Sequence, residues 1–298
     1  MSTTISEPVA RSRTQPSALG AVTLGAVFHY LGPSFAVLLF VHVDALGVAW
    51  LRLASAAVVL ALWRRPWHVV RAASPGERRN LLVVVVALGL VLAGMNAAFY
   101  LALDRAPLAT VASIEFVGVV ALAAYGVRSR RNLVALTLSV CGVVLLTQVG
   151  VDGSAAGLAW AAANCVGFVL YVVIGHRIAD GMGAGNGVDR LSVAVVIAAL
   201  AATPYGVVQA APAVTHPSWL LWGIGVGVCS TVIPYVADQW AMARLPRATY
   251  ALMLALLPVT ATLCGLVVLG QVPTRQEVVG IVLVGIAVAL HRPREVRA

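Results

Sequence analysis

The sequence predicts an all-α integral membrane protein of ten transmembrane helices, arranged as two inverted five-helix repeats, and three observations lead there. Apolar residues make up 61% of the chain and charged residues 10%, with a mean hydropathy of +0.95, whereas charged residues run at about a quarter of an ordinary soluble domain. The apolar residues are gathered into ten runs separated by short polar stretches. One stretch also recurs. Shifted by 139 residues, Arg105, Pro107, Ala109, Thr110 and Ala112 fall on Arg244, Pro246, Ala248, Thr249 and Ala251, each set at an arginine-proline turn that opens an apolar run. A repeat of this size in a membrane chain points to a carrier built from two halves.

In chain order, residues 1–17 are polar and lack an apolar core, which predicts a disordered cytoplasmic tail and not a cleaved signal. The first repeat, residues 18–149, holds runs at 18–41, 46–63, 81–103, 108–127 and 133–149. The second, residues 150–291, holds runs at 155–174, 191–209, 219–240, 248–269 and 278–290, and residues 292–298 form a second cytoplasmic tail. The fifth and tenth runs fall short of the roughly 20 residues a spanning helix needs and are expected to borrow flanking residues.

Charge placement tests this count independently. The net charge is +9 and all twenty basic residues are arginine. With ten spans and a cytoplasmic N-terminus, seventeen of them lie inside, Arg105 and Arg275 lie outside, and Arg52 lies within a span. That is a topology bias and not a nucleic-acid face. It puts the turn at Arg105 outside and its copy at Arg244 inside, so the two halves run in opposite orientation, as alternating access requires. Cys141, Cys165, Cys229 and Cys264 sit singly in different runs, without metal or redox spacing, and read as small buried residues.

A few polar residues interrupt the apolar runs. Glu115 lies about eight residues deep in the fourth run, where a carboxylate is costly and is expected to face a cavity, a partner or a ligand. Arg52 sits midway along the second run. It either neutralises a carboxylate, caps the carbonyls of a broken helix, or binds a substrate carboxylate. Asn96 and Tyr100 share one helical face, and Trp160, Asn164, Phe168 and Tyr171 share another; each set lines a cavity or packs between helices. His29 and Tyr30 are weaker cavity candidates, while His42, Trp67 and Trp219 read as interfacial. Helix breaks are expected at matching places in the halves: Gly94 and Pro234 in the third and eighth runs, Gly118 and Pro258 in the fourth and ninth. Gly223, Gly225, Gly227, Gly280 and Gly285 read as close helix contacts.

The stretches WLRLASAAVVLALWRRPW at 50–67, GMNAAFYLAL at 94–103, the segment from Pro107 to Phe116, and STVIPYVADQWAMARLPRATY at 230–250 resemble EamA-type members of the drug/metabolite transporter superfamily, nearest the threonine/homoserine exporter branch. The resemblance spans residues 20–290. It implies ten helices in two inverted halves around a central cavity, and export of small metabolites, commonly amino acids. Three positions depart from the pattern: Leu257-Pro258 replaces a frequent Glu-Pro, Gly270-Gln271 a Gly-Glu, and Gly118-Val119 a Gly-Pro. The losses leave Glu115 as the acidic residue near mid-membrane, with Asp238 close to the inner end of the eighth run.

These readings together predict a secondary active transporter of the inner membrane, with both termini cytoplasmic, that exports threonine- or homoserine-like amino acids by proton antiport. Arg52, Asn96, Tyr100, Glu115, Asn164, Phe168 and Tyr171 are the expected substrate contacts. Glu115 is the expected proton-coupling site, where a proton and the substrate ammonium compete. The expected partners are the small-molecule substrate, protons and the bilayer, with no cofactor, metal or nucleic acid. The alternative is a carrier for drugs or aromatic metabolites. A channel fits less well, and an intramembrane enzyme lacks a His-Glu-x-x-His, a Gly-x-Ser-x-Gly or a mid-membrane aspartate pair.

Overall fold

The computed structural model describes residues 14–125, 129–147, 153–179, 186–269 and 274–290, and among these the regular structure is entirely helical. The first half holds α1 (Thr14–Leu39), α2 (Ala45–Arg64), a short α3 (Trp67–Ala72), α4 (Pro75–Leu103), α5 (Leu108–Tyr125) and α6 (Arg130–Thr147). The second holds α7 (Ala155–Ala179), α8 (Gly187–Gly206), a short α9 (Ala211–Thr215) and α10 (Pro217–Gly227), which passes through a π-helical turn (Val228–Val232) into α11 (Ile233–Met242). It ends with α12 (Arg247–Met253), α13 (Leu256–Leu269) and α14 (Arg275–Leu290). Among the described residues, seven helical segments are long and apolar enough to cross a bilayer, and Thr110–Ala124 and Val278–Leu290 are shorter apolar helices. The protein is therefore a multi-pass membrane protein, and Leu62, Val208, Leu221 and Val267 stand exposed on its outer face, as lipid contact requires. α1 opens at Thr14, so residues 14–17 of the expected tail are helical. Residues 1–13 and 291–298 lie outside the described residues.

The helices pair across the two halves. α6 lies along α14, α2 along α8, and α5 against α12. α4 packs on α7 and α8, α1 on α11 and α13, α5 on α7, and α10 on α2. Glycine permits several of these approaches. A Cβ at Gly227 would overlap Ser55 and lie 2.7 Å from the Arg52 carbonyl, one at Gly142 would lie 2.8 Å from the Gly280 carbonyl, and one at Gly223 would lie 3.1 Å from Leu51. Gly225 and Gly285, expected to be close contacts too, have open space at the Cβ position. Cys141, expected to be buried, is exposed. At one end of the α2–α8 pair, Asn186 and Asp189 form a reciprocal cap on α8. The same Asp189 takes Arg64 at 2.6 Å, fastening the end of α2 to the start of α8.

Only the proline breaks form. α4 continues through Gly94 and α5 through Gly118, because glycine keeps its N–H and the ladder of hydrogen bonds survives it. Proline has no N–H and crowds the carbonyl four residues back. Before Pro234 the helix widens into the π turn, closed by the Ile233 N–H on the Val228 carbonyl. Before Pro258 the chain leaves α12, and the Leu254 carbonyl takes the Leu257 N–H at 2.9 Å instead.

Candidate functional site

The π turn explains where Arg52 goes. Pro234 cannot donate to the Ser230 carbonyl, and Arg52 Nη2, reaching over from α2, donates to that oxygen at 2.6 Å while its Nε donates to Thr231 Oγ1 at 2.7 Å. The guanidinium lies 5.7 Å from the centre of the Tyr100 ring and 6.0 Å from that of Tyr235. Small residues let it in: besides Gly227 on α10, a Cβ at Gly32 of α1 would overlap the Ser230 side chain. Of the roles expected for Arg52, capping a broken helix is the one its hydrogen bonds perform.

Arg52 also forms part of the wall of a cavity between the halves. α1 contributes His29 and Tyr30, α4 Met95, Asn96 and Phe99, α5 Glu115, α7 Asn164 and Phe168, and α11 Tyr235. Glu115, 7% exposed, accepts a hydrogen bond from Asn164 Nδ2 at 2.6 Å. No Arg52–Glu115 ion pair occurs among the described residues, so the carboxyl and the guanidinium face one space without closing on each other. Three polar wall atoms are poorly satisfied: His29 Nδ1 makes no hydrogen bond, and the Asn96 amide and the Tyr235 hydroxyl have at most each other. Asn96 Nδ2 donates one of its two hydrogens to the Leu92 carbonyl at 2.8 Å. Buried polar atoms are seldom left unpaired, and their convergence on one space marks it as built for a polar occupant. The cavity measures about 30 Å³, room for a water or two, too small for an amino acid as it stands.

The structure thus brings Arg52, Asn96, Glu115, Asn164 and Phe168 to one wall, and sets Tyr100 and Tyr171 behind it. Tyr100 is buried beside Phe40 and Phe99, and Tyr171 bonds to Asp238 at 2.8 Å. Trp160, on the same sequence stripe, is exposed. Sequence reasoning missed Met95, Phe99 and Tyr235 and ranked His29 low. Tyr235 was signalled by its place next to Pro234, and Met95 and Phe99 flank Asn96 on the cavity side of α4. Among the described residues no cluster of His, Cys, Asp or Glu suits a metal.

Comparison with known proteins decides the family. The profile of the EamA-like transporter family matches residues 155–291. The threonine/homoserine exporter RhtA of Salmonella typhimurium (strain SL1344) is 34% identical over 255 residues, covering 84% of this chain and 82% of its own length. The exporter of the same name in Escherichia coli (strain K12) is 34% identical over 248 residues, covering 82% and 80%. The chain belongs to the EamA-like transporter family. A solved crystal structure also superposes on this EamA-like chain with a TM-score of 0.65, covering 94% of it and 96% of the other at 19% identity, a likeness of fold.

Proposed function

We propose that this EamA-like protein is a secondary active carrier that exports small amino acids of the threonine and homoserine kind across the inner membrane in exchange for protons. The observation that carries the proposal is the cavity itself: a carboxyl, a guanidinium and three poorly satisfied polar atoms around one buried space. Glu115 suits an ammonium group, Arg52 a carboxylate, and the aromatic walls of Phe99, Phe168 and Tyr235 a short side chain. The names of the 34% identical relatives point to the same substrates. Glu115 is the coupling residue in this reading. A proton arriving from outside neutralises it and releases the amine, and its loss inside restores the charge that binds the next one.

The pairing of helices supports ten spans in two inverted repeats. Matching α1, α2, α4, α5 and α6 to α7, α8, α10–α11, α12–α13 and α14 turns the α4–α7 contact into α1–α11, α4–α8 into α2–α10, and α5–α7 into α1–α13, while α2–α8, α6–α14 and α5–α12 map onto themselves. Arginine placement supports cytoplasmic termini in this reading. The breaks at Pro234 and Pro258 lie where one half would bend as the cavity changes sides.

A growth-protection screen tests the substrate class: cells overproducing the protein are challenged with amino acids, their toxic analogues and lipophilic cations. Protection against threonine, homoserine or their analogues is expected. Protection against lipophilic cations alone would replace this reading with drug efflux.

A further inference from the structure

Behind the cavity wall stands a carboxyl that the export mechanism leaves unused. Asp238, on α11, is 2% exposed. Its Oδ2 accepts the Tyr171 hydroxyl hydrogen at 2.8 Å and lies 3.7 Å from His29 Nε2. α1 gives it room at Gly25, where a Cβ would come within 3.2 Å of Oδ1. Among the described residues no arginine pairs with it. A buried carboxylate without a fixed cation either holds a proton or shares one with a partner.

His29 is that partner, and it belongs to both places. Its ring lines the cavity, Nε2 is turned to Asp238, and Nδ1 makes no hydrogen bond. Phe168 and Tyr235 hold the imidazole edge-on, with ring centres 6.3 and 5.9 Å away. At 3.7 Å the pair lies beyond hydrogen-bond length, about 2.7–3.2 Å, so transfer needs the ring to move roughly half an ångström or more toward Asp238. The titratable groups facing Asp238 are His29 from α1, Tyr171 from α7, Tyr250 from α12, and Tyr235 one turn earlier on its own helix, with Arg52 of α2 acting on His29 from across the cavity. Tyrosine keeps its proton through the physiological range, which leaves imidazole and carboxyl as the groups able to exchange one.

We propose that His29 and Asp238 form a second proton site, a relay that receives the proton Glu115 gives up and carries it away from the cavity. The proposal rests on the proton-exchange reading above. As the Glu115 O–H bond breaks, a cavity water passes the proton to Nδ1 of neutral His29, and the Nε2–H bond breaks as an O–H bond forms on Asp238. The imidazole ends neutral with its proton on the other nitrogen, Glu115 ends as a carboxylate and Asp238 as a carboxylic acid. The cavity has room for the bridging water. Beyond Asp238, the Tyr250 ring stands 5.5 Å from that of His176, in the last turn of α7, so the polar string continues toward the end of that helix.

The test uses the purified full chain in proteoliposomes with radiolabelled L-threonine, comparing wild type with Asp238→Asn, which keeps the acceptor for Tyr171. Accumulation driven by a pH difference should fall about tenfold or more, in the range of a lost proton-transfer group, while threonine-for-threonine counterflow, which moves no net proton, stays within about twofold. Asp238→Glu should restore part of the pH-driven flux. Equal loss of counterflow and pH-driven flux would reduce Asp238 to a packing role, and unchanged pH-driven flux would overturn the relay. Absent wild-type counterflow would instead sink the threonine reading. The relay is then judged without substrate by infrared titration in detergent, where Asp238→Asn should remove one protonated-carboxyl band that Glu115→Gln leaves in place. A band unaltered in Asp238→Asn would overturn the relay there too.

Discussion

At the scale of single residues, Arg52 performs two tasks with one side chain. It supplies the donors that Pro234 withholds from Ser230, and it presents positive charge to the cavity. A lysine ammonium is a single point that cannot take both the Nε and the Nη2 position of the guanidinium fork, and one charge-assisted hydrogen bond contributes about 1.5–3 kcal/mol. Arg52→Lys should therefore lower amino-acid transport by roughly 10- to 100-fold and also lower the unfolding temperature in detergent. Reduced transport at wild-type thermal stability would separate the two tasks and leave only the substrate contact. The sequence showed Arg52 and Glu115 plainly, since charge deep in an apolar run has few uses. It did not show whether they pair with each other, because that depends on which carbonyl a proline on another helix leaves open. The sequence also showed Asp238 but not its role, because its partners, His29 and Tyr171, are distant in sequence and meet it only through helix packing.

At the scale of elements, the α10–α11 segment is a helix that has been opened and then propped. Pro234→Ala restores the N–H that would close on Ser230, a change worth up to about 3 kcal/mol to a regular helix. The variant is expected to unfold at a higher temperature and to transport more slowly, because the π turn straightens and Arg52 loses its acceptor. Unchanged uptake would show that the π turn has no part in transport. A paired substitution tests the packing beside it. Gly227→Ala forces a methyl into Ser55 and the Arg52 carbonyl, an overpacking that costs about 1–3 kcal/mol, whereas Gly225→Ala meets open space and should change stability by less than about 0.5 kcal/mol. The apolar runs predicted most of the long helices, because hydropathy alone demands them. The glycine breaks failed, since Gly94 and Gly118 remove no hydrogen bond, whereas the expected breaks at Pro234 and Pro258 formed, although α1 and α8 run on through Pro33 and Pro204.

At the scale of the whole molecule, helices from the first and second halves of the sequence meet along a cavity too small for an amino acid, which in the proposed inverted-repeat reading is the shape of a carrier between openings. The orientation can be measured directly: a cysteine at Ser74, between α3 and α4, should react with an impermeant maleimide only from the cytoplasmic side, and one at Thr215, at the end of α9, only from outside. Both positions are exposed. Labelling of both from one side would break the inverted arrangement. The arginine-proline turns at Arg105 and Arg244 carry the sequence signal for the proposed repeat, whereas the small size of the cavity has no such signal, since it depends on how side chains from six helices interlock. The central claim is that Glu115 couples a proton to the export of a small amino acid. The most direct measurement is accumulation of L-threonine in proteoliposomes driven only by a pH difference, with Glu115→Gln compared to wild type at equal amounts of folded protein. Wild type should concentrate threonine and Glu115→Gln should not; a Glu115→Gln protein that still concentrates threonine would contradict the account.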